Sequence, residues 1–129
     1  MRNVSVMLTT QQMYDCTKDV TRRLGWKFLK AGDFVMACVK CQGLGKGGKI
    51  ERIHPIEIVR VDQEPLIDIA RRDMHCGNGD FFYNEECKRE GFPDMCGGAF
   101  IEMFMKHMKC EIDTLVNRIE FIHRKDLMK

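Results

Sequence analysis

The sequence predicts an α+β fold in which a strongly curved sheet or small barrel carries short helices at its side. Three observations lead there. Apolar residues alternate in several short runs, as half-buried strands require. No regular train of long helices separates those runs, which argues against a doubly wound parallel sheet. One segment, residues 99–108, has a clear helical period.

In chain order, Val4, Val6 and Leu8 alternate with Ser5 and Met7 and predict a first strand. Thr9-Thr10 reads as a cap before a short helix over residues 11–16. Residues 17–23, reading TKDVTRR, lead through a turn or a short extended piece. Lys30-Ala31-Gly32-Asp33 is a turn, and residues 34–40 form the next strand. Four glycines in residues 42–49 make a flexible connection. Residues 50–61 are extended, but Ile56 and Ile58 occupy one parity and Val59 and Val61 the other. That switch predicts a bulge, or a strand buried on both faces. Pro55 favours an edge position or an interruption near the start of the run.

A short helix is expected within residues 64–73, starting near Pro65, and residues 75–80 read as a loop. Residues 81–89 read as helical. In residues 99–108, Phe100, Phe104 and Met108 recur every four positions, with Met103 and His107 beside them. Glu102 and Lys106 form a favourable outer pair on that helix. A last strand covers residues 116–122, before a basic tail.

A chain of 129 residues suits one domain, 1–129, and can bury a core without metal or disulfide. With 44% hydrophobic and 31% charged residues it is not a disordered chain. A formal net charge of +2 argues against wrapping a long duplex by charge alone, yet leaves room for a local basic patch facing a nucleotide or short single strand. A secretory signal would need an apolar run of about 7–15 residues and a membrane helix about 20. Neither run is present, so the expectation is a cytoplasmic protein with no membrane partner. Seven cysteines, an odd number, are expected to be reduced thiols.

Gly43, Gly48 and Lys49 approach a phosphate loop, but Ile50 stands where a Ser or Thr should reach magnesium, and a strand follows where a helix is required. No cofactor is expected. Cys38 and Cys41 have the CxxC spacing of zinc and thiol redox sites. His107 and Cys110 offer an HxxC pair, and His75-Cys76 a third possibility. These are weak candidates, because one pair does not make a site and glycines follow the CxxC; buried thiols are the simpler account, and no metal is expected. His107 reads as a core histidine, and His54 and His123 as exposed strand-end residues.

The stretch from Lys18 to Arg23 holds more chemistry. A desolvated lysine loses its preference for the charged form and could take a proton from the Thr21 hydroxyl three residues on. Arg22 and Arg23 could hold a carboxylate or phosphate by paired donors. Glu90, in KREGF, would supply an acid/base partner if the fold brought it to Lys18 and Thr21. Trp26 and Tyr14 are candidates for stacking a base. Set against this, the same residues can form a solvated polar turn, and Trp26 can be a core or rim side chain.

The order of these elements resembles the ASCH domain, a member of the PUA-like superfamily. The resemblance rests on the first strand, the short helix, Lys18/Thr21/Arg23 in a Lys-x-x-Thr-x-Arg segment, and Gly32-Asp33 before the next strand. It continues in the strand over residues 56–61, in Glu90-Gly91-Phe92 with its following helix, and in the last strand. It implies a PUA-like small β-barrel flanked by short helices, with a cleft that binds RNA or a nucleotide. One branch of that family hydrolyses N4-acetylcytidine. By resemblance to that branch, Lys18 would activate Thr21 as nucleophile, Glu90 would assist proton transfer and Arg23 would stabilise the site. Asp19 departs from the branch, which tends to carry threonine there, and Asp19 beside Lys18 would hold the lysine charged.

Overall fold

In the computed structural model, residues 1–40, 48–75 and 82–128 are described. Among these residues, seven strands and three helices follow in chain order: β1 (Arg2–Ser5), α1 (Thr10–Tyr14), β2 (Val20–Arg23), β3 (Phe34–Cys38), β4 (Arg52–Pro65), β5 (Met74–His75), β6 (Phe82–Tyr83), α2 (Glu85–Arg89), α3 (Gly97–Met108) and β7 (Leu115–His123). Turns of 3-10 helix cover Met7–Thr9, Leu66–Arg72 and Lys125–Leu127. Five strands form one curled, half-barrel sheet in the order β1-β3-β4-β7-β2, and β5 and β6 make a separate pair. No helix among the described residues is long and apolar enough to cross a membrane.

The long β4 and β7 form the spine of the sheet, in antiparallel register from Ile56 opposite His123 to Pro65 opposite Leu115. The parity switch read in the sequence is a real irregularity. The register shifts between Ile58 and Arg60, so the extra residue, the exposed Val59, resets the parity and lets Val61 pack against the same core as Ile56 and Ile58. Pro55 lies in an interior strand, not at a sheet edge. Pairing with β7 begins only at Ile56, so Pro55 interrupts no ladder with β7, and its carbonyl accepts from Arg124 N–H at 2.9 Å.

Other boundaries also moved. The first strand stops at Ser5, because the chain turns into 3-10 helix at Met7, and Leu8 is exposed. Residues 20–23 of the polar stretch are a strand paired with β7, where a turn was an open reading. The helix expected over residues 81–89 begins at Glu85, since the Asn84 side chain accepts from Cys87 N–H and caps it there. The same Asn84 donates to the Ile69 carbonyl and to Asp73, and Asp73 in turn accepts from Gly97 N–H at 2.8 Å. One buried polar node therefore fixes the starts of both α2 and α3.

The core has two parts. Val4, Val35, Ile56, Ile58, Ile119 and Phe121 fill the inside of the curl, closed by Met13 from α1. Leu66, Ile69, Cys87, Phe100, Ile101, Phe104 and Val116 pack α3 and the Leu66–Arg72 turn against the other side. Gly97 permits this approach, because a Cβ there would lie 2.4 Å from the Ala70 Cα.

Candidate functional site

The two outermost strands of the half-barrel, β1 and β2, approach each other across its opening. The Arg23 guanidinium spans the gap and donates to the Ser5 carbonyl. A cavity of about 350 Å³ sits at this opening. That is within the range of small-molecule sites. Thr21, Arg22 and Arg23 of β2 line one side of it, and Lys18 and Glu90 line it as well. Phe92, Phe100, Met103 and Phe104 provide an apolar wall.

Local conformation explains how Glu90 and Phe92 both reach this cleft. Gly91 between them has φ 104, a conformation that side chains oppose. A Cβ on Gly91 would also fall 2.9 Å from the Thr9 side chain. The EGF sequence thus has its glycine where the backbone turns tightly against α1.

At the polar end, Lys18 Nζ donates to the Glu90 carbonyl at 2.5 Å and lies 3.4 Å from its carboxylate. The Thr21 hydroxyl accepts from Arg23 Nε at 3.3 Å. Burial pushes the Lys18 ammonium down to about 8, aided by the nearby Arg23 and Arg22 charges, while Glu90 opposes the shift. Asp19, expected to hold Lys18 charged, turns away: its carboxylate pairs with Arg89 at 2.9 Å.

Arg22 is not a surface arginine awaiting a phosphate. Its side chain is fully buried and meets Glu90 at 2.8 Å, Glu86 at 2.8 Å and Glu64 at 3.0 Å. Burial opposes its charge, but those three carboxylates outweigh it and raise the guanidinium pKa. Its Nε is buried without a hydrogen-bond partner among the described residues. Arg118 lies directly opposite Arg22 across β2 and β7, and Glu86 bonds both. Burial alone would raise the Glu86 carboxyl, but bonds from Arg118 and the charge of Arg22 hold it down at about 2. The cleft floor is therefore a balanced ion network, not a basic patch.

Lys18, Thr21, Arg22, Arg23 and Glu90 do meet at one cleft. Trp26 does not join them. It packs against the core inside the curl, with its ring 5.6 Å from that of Phe28, and the aromatic side chains lining the cleft are Phe92, Phe100 and Phe104. Tyr14 is exposed on α1. Glu64, Glu86 and Arg118 had no signal in the sequence beyond ordinary alternating charge.

Among the described residues, the weak metal candidates Cys38, His107 and Cys110 do not come together. Cys38 is buried at the end of β3, while His107 is exposed on α3 beside the cleft mouth, not a core histidine. Cys110 packs against the helical cluster. Cys41, Cys76, the His75 side chain and most of the glycine-rich connection lie outside the described residues. His54 and His123 are not exposed strand ends: His54 is buried, and His54 Nε2 lies 2.7 Å from His123 Nδ1.

No family model matches this sequence, and no curated protein matches it. Among solved structures, the chain is similar to protein EF3133 from Enterococcus faecalis V583, described as family-model DUF984. The two superpose with a TM-score of 0.56 at 14% identity, over 91% of this chain and 70% of that one. At that identity the likeness is one of fold: a mixed α+β chain with a curled, barrel-like sheet.

Proposed function

We propose that this is an ASCH-like domain of the PUA-like kind, whose cleft holds a single nucleoside or nucleotide unit, free or at the end of a short RNA. The observation that carries the reading is the cavity at the strand opening, with aromatic side chains on one wall and Lys18, Thr21 and Arg23 at the polar end. Bases stack on aromatic faces, and sugar or base edges take hydrogen bonds from such polar groups. Because the buried cations are neutralised by Glu64, Glu86 and Glu90, the cleft favours one nucleoside over a long phosphate backbone. The unpartnered Arg22 Nε–H in its wall adds a demand for an oxygen acceptor.

Titration calorimetry with cytidine, cytidine monophosphate and a short single-stranded RNA tests this. Binding is expected to weaken at least tenfold in Phe92→Ala and Thr21→Val and to be unchanged in Trp26→Phe. Absence of binding to all three ligands at low salt rejects the reading.

A second reading is hydrolysis of an N4-acylated cytidine, favoured by Lys18, Thr21 and Glu90 lining the same cleft. Neutral Lys18 would leave Glu90 to take the Thr21 proton as the hydroxyl attacks the acyl carbonyl, and would return a proton to the departing amine. Water would then split the threonine ester to release the carboxylic acid. Release of acetate from N4-acetylcytidine should disappear in both Lys18→Ala and Thr21→Ala. Equal turnover in wild type and both variants removes this site from consideration.

A further inference from the structure

A second constellation lies outside the cleft. Cys16 Sγ, a nitrogen of His54 and a nitrogen of His123 all fall within 4.8 Å of one another. The three residues come from the turn that follows α1, from β4 and from β7. Register explains the histidine pair. Ile56 is opposite His123, so His54, two residues earlier on the same face, is its diagonal neighbour.

The hydrogen bonds fix which nitrogens face inward. His123 Nε2 lies 2.6 Å from the Lys18 carbonyl, which can only accept, so Nε2 carries the proton and Nδ1 has a free lone pair. That lone pair is directed at His54 Nε2, 2.7 Å away. A ring whose outer nitrogen donates to a main-chain carbonyl is the usual arrangement of a metal-bound histidine. Cys16, at φ 62, is on the surface, which provides a route of entry.

We propose that Cys16, His54 and His123 form a zinc site of one thiolate and two imidazoles, with a fourth position open to solvent. One sulfur and two nitrogens are a donor set that zinc favours. On binding, the Cys16 thiol loses its proton to solvent. The His54 proton moves to Nδ1, so that Nε2 and the His123 Nδ1 both present lone pairs to the ion. The nitrogens must part from 2.7 Å to about 3.3 Å and the sulfur, within 4.8 Å of them, must settle at about 3.6 Å, modest side-chain shifts for zinc bond lengths of about 2.0 and 2.3 Å. Because His123 also holds the Lys18 carbonyl, the ion would brace the segment that delivers Lys18 to the cleft.

Cobalt is the probe, since its thiolate complexes absorb in the near ultraviolet. Reduced, chelator-treated full-length protein should bind one equivalent of Co²⁺ with a thiolate-to-cobalt band, which Zn²⁺ then displaces. Cys16→Ser, at an exposed position that leaves the fold intact by circular dichroism, should abolish the band. His54→Gln should weaken cobalt binding at least tenfold, and Cys41→Ser should leave the band unchanged. A band that survives Cys16→Ser, or no cobalt uptake by the wild type, overturns the assignment and leaves a hydrogen-bonded histidine pair.

Discussion

Replacing Glu86 with glutamine tests whether the ion network under the cleft supports the fold. Glutamine keeps the shape and one acceptor but removes the charge that Arg22, Arg118 and Arg72 share. Two estimates of the cost agree. The carboxyl drops from an ordinary 4.5 to about 2 on folding. At about 1.4 kcal/mol per unit, that shift is worth about 3 kcal/mol at neutral pH. Leaving buried arginines short of a partner independently costs about 3–5 kcal/mol. Glu64 and Glu90 still face Arg22, so the lower figure is the one to expect. It is a large share of the roughly 5–15 kcal/mol that holds a domain folded.

The sign with pH follows from the depressed carboxyl. Its contribution is fully present above about 4.5 and is lost as pH falls from there toward about 2. Urea unfolding at pH 7 should therefore show Glu86→Gln about 3 kcal/mol less stable than wild type. The difference should shrink steadily between pH 4.5 and pH 2. A loss under about 1 kcal/mol at pH 7, or parallel pH profiles across that window, would refute the reasoning.

Three further substitutions separate packing from charge. Gly97→Ala should cost about 3 kcal/mol, because its Cβ would enter the Ala70 backbone, whereas Gly98→Ala, with nothing within 4 Å, should gain about 0.5 kcal/mol; thermal melts that rank the two equally would contradict the close approach. Asp19→Asn should cost at most about 1 kcal/mol and leave nucleoside affinity unchanged, since Asp19 is partly exposed and pairs with Arg89. A tenfold change in affinity on calorimetry would show that Asp19 acts on Lys18 after all.

Local pattern carried the strands and the long helix into view, because alternation and a four-residue period follow directly from strand and helix geometry. The register shift near Val59 was visible for the same reason. What the sequence could not separate was core from cleft. Phe100 and Phe104 belong to the apolar stripe of α3, and a buried stripe looks the same whether it meets other side chains or a cavity. Trp26 had two readings, a stacking residue or a core or rim side chain. It is close to Arg22 and Arg23 in sequence, but, at a left-handed φ of 71, its half-buried ring packs against the core and not at the cleft. The His54–His123 pair, 69 residues apart, depends on register between two strands, which no local pattern encodes.

The ion network also ties together parts of the molecule that would otherwise be independent. Arg22 and Arg118 stand directly opposite each other on β2 and β7, an arrangement that is repulsive on its own. Glu64 of β4 faces both, and Glu86, arriving from α2, bonds both and makes the arrangement favourable. The same helix ends at Glu90, which receives the Arg22 Nη1 and Lys18 Nζ groups. Docking α2 therefore does two things in one step: it neutralises the β2–β7 pair and completes the polar end of the cleft. On this account, a change that loosens α2 should disturb the position of Lys18 even if nothing in the cavity is altered, because Glu86, Arg22 and Glu90 connect the two by direct contacts.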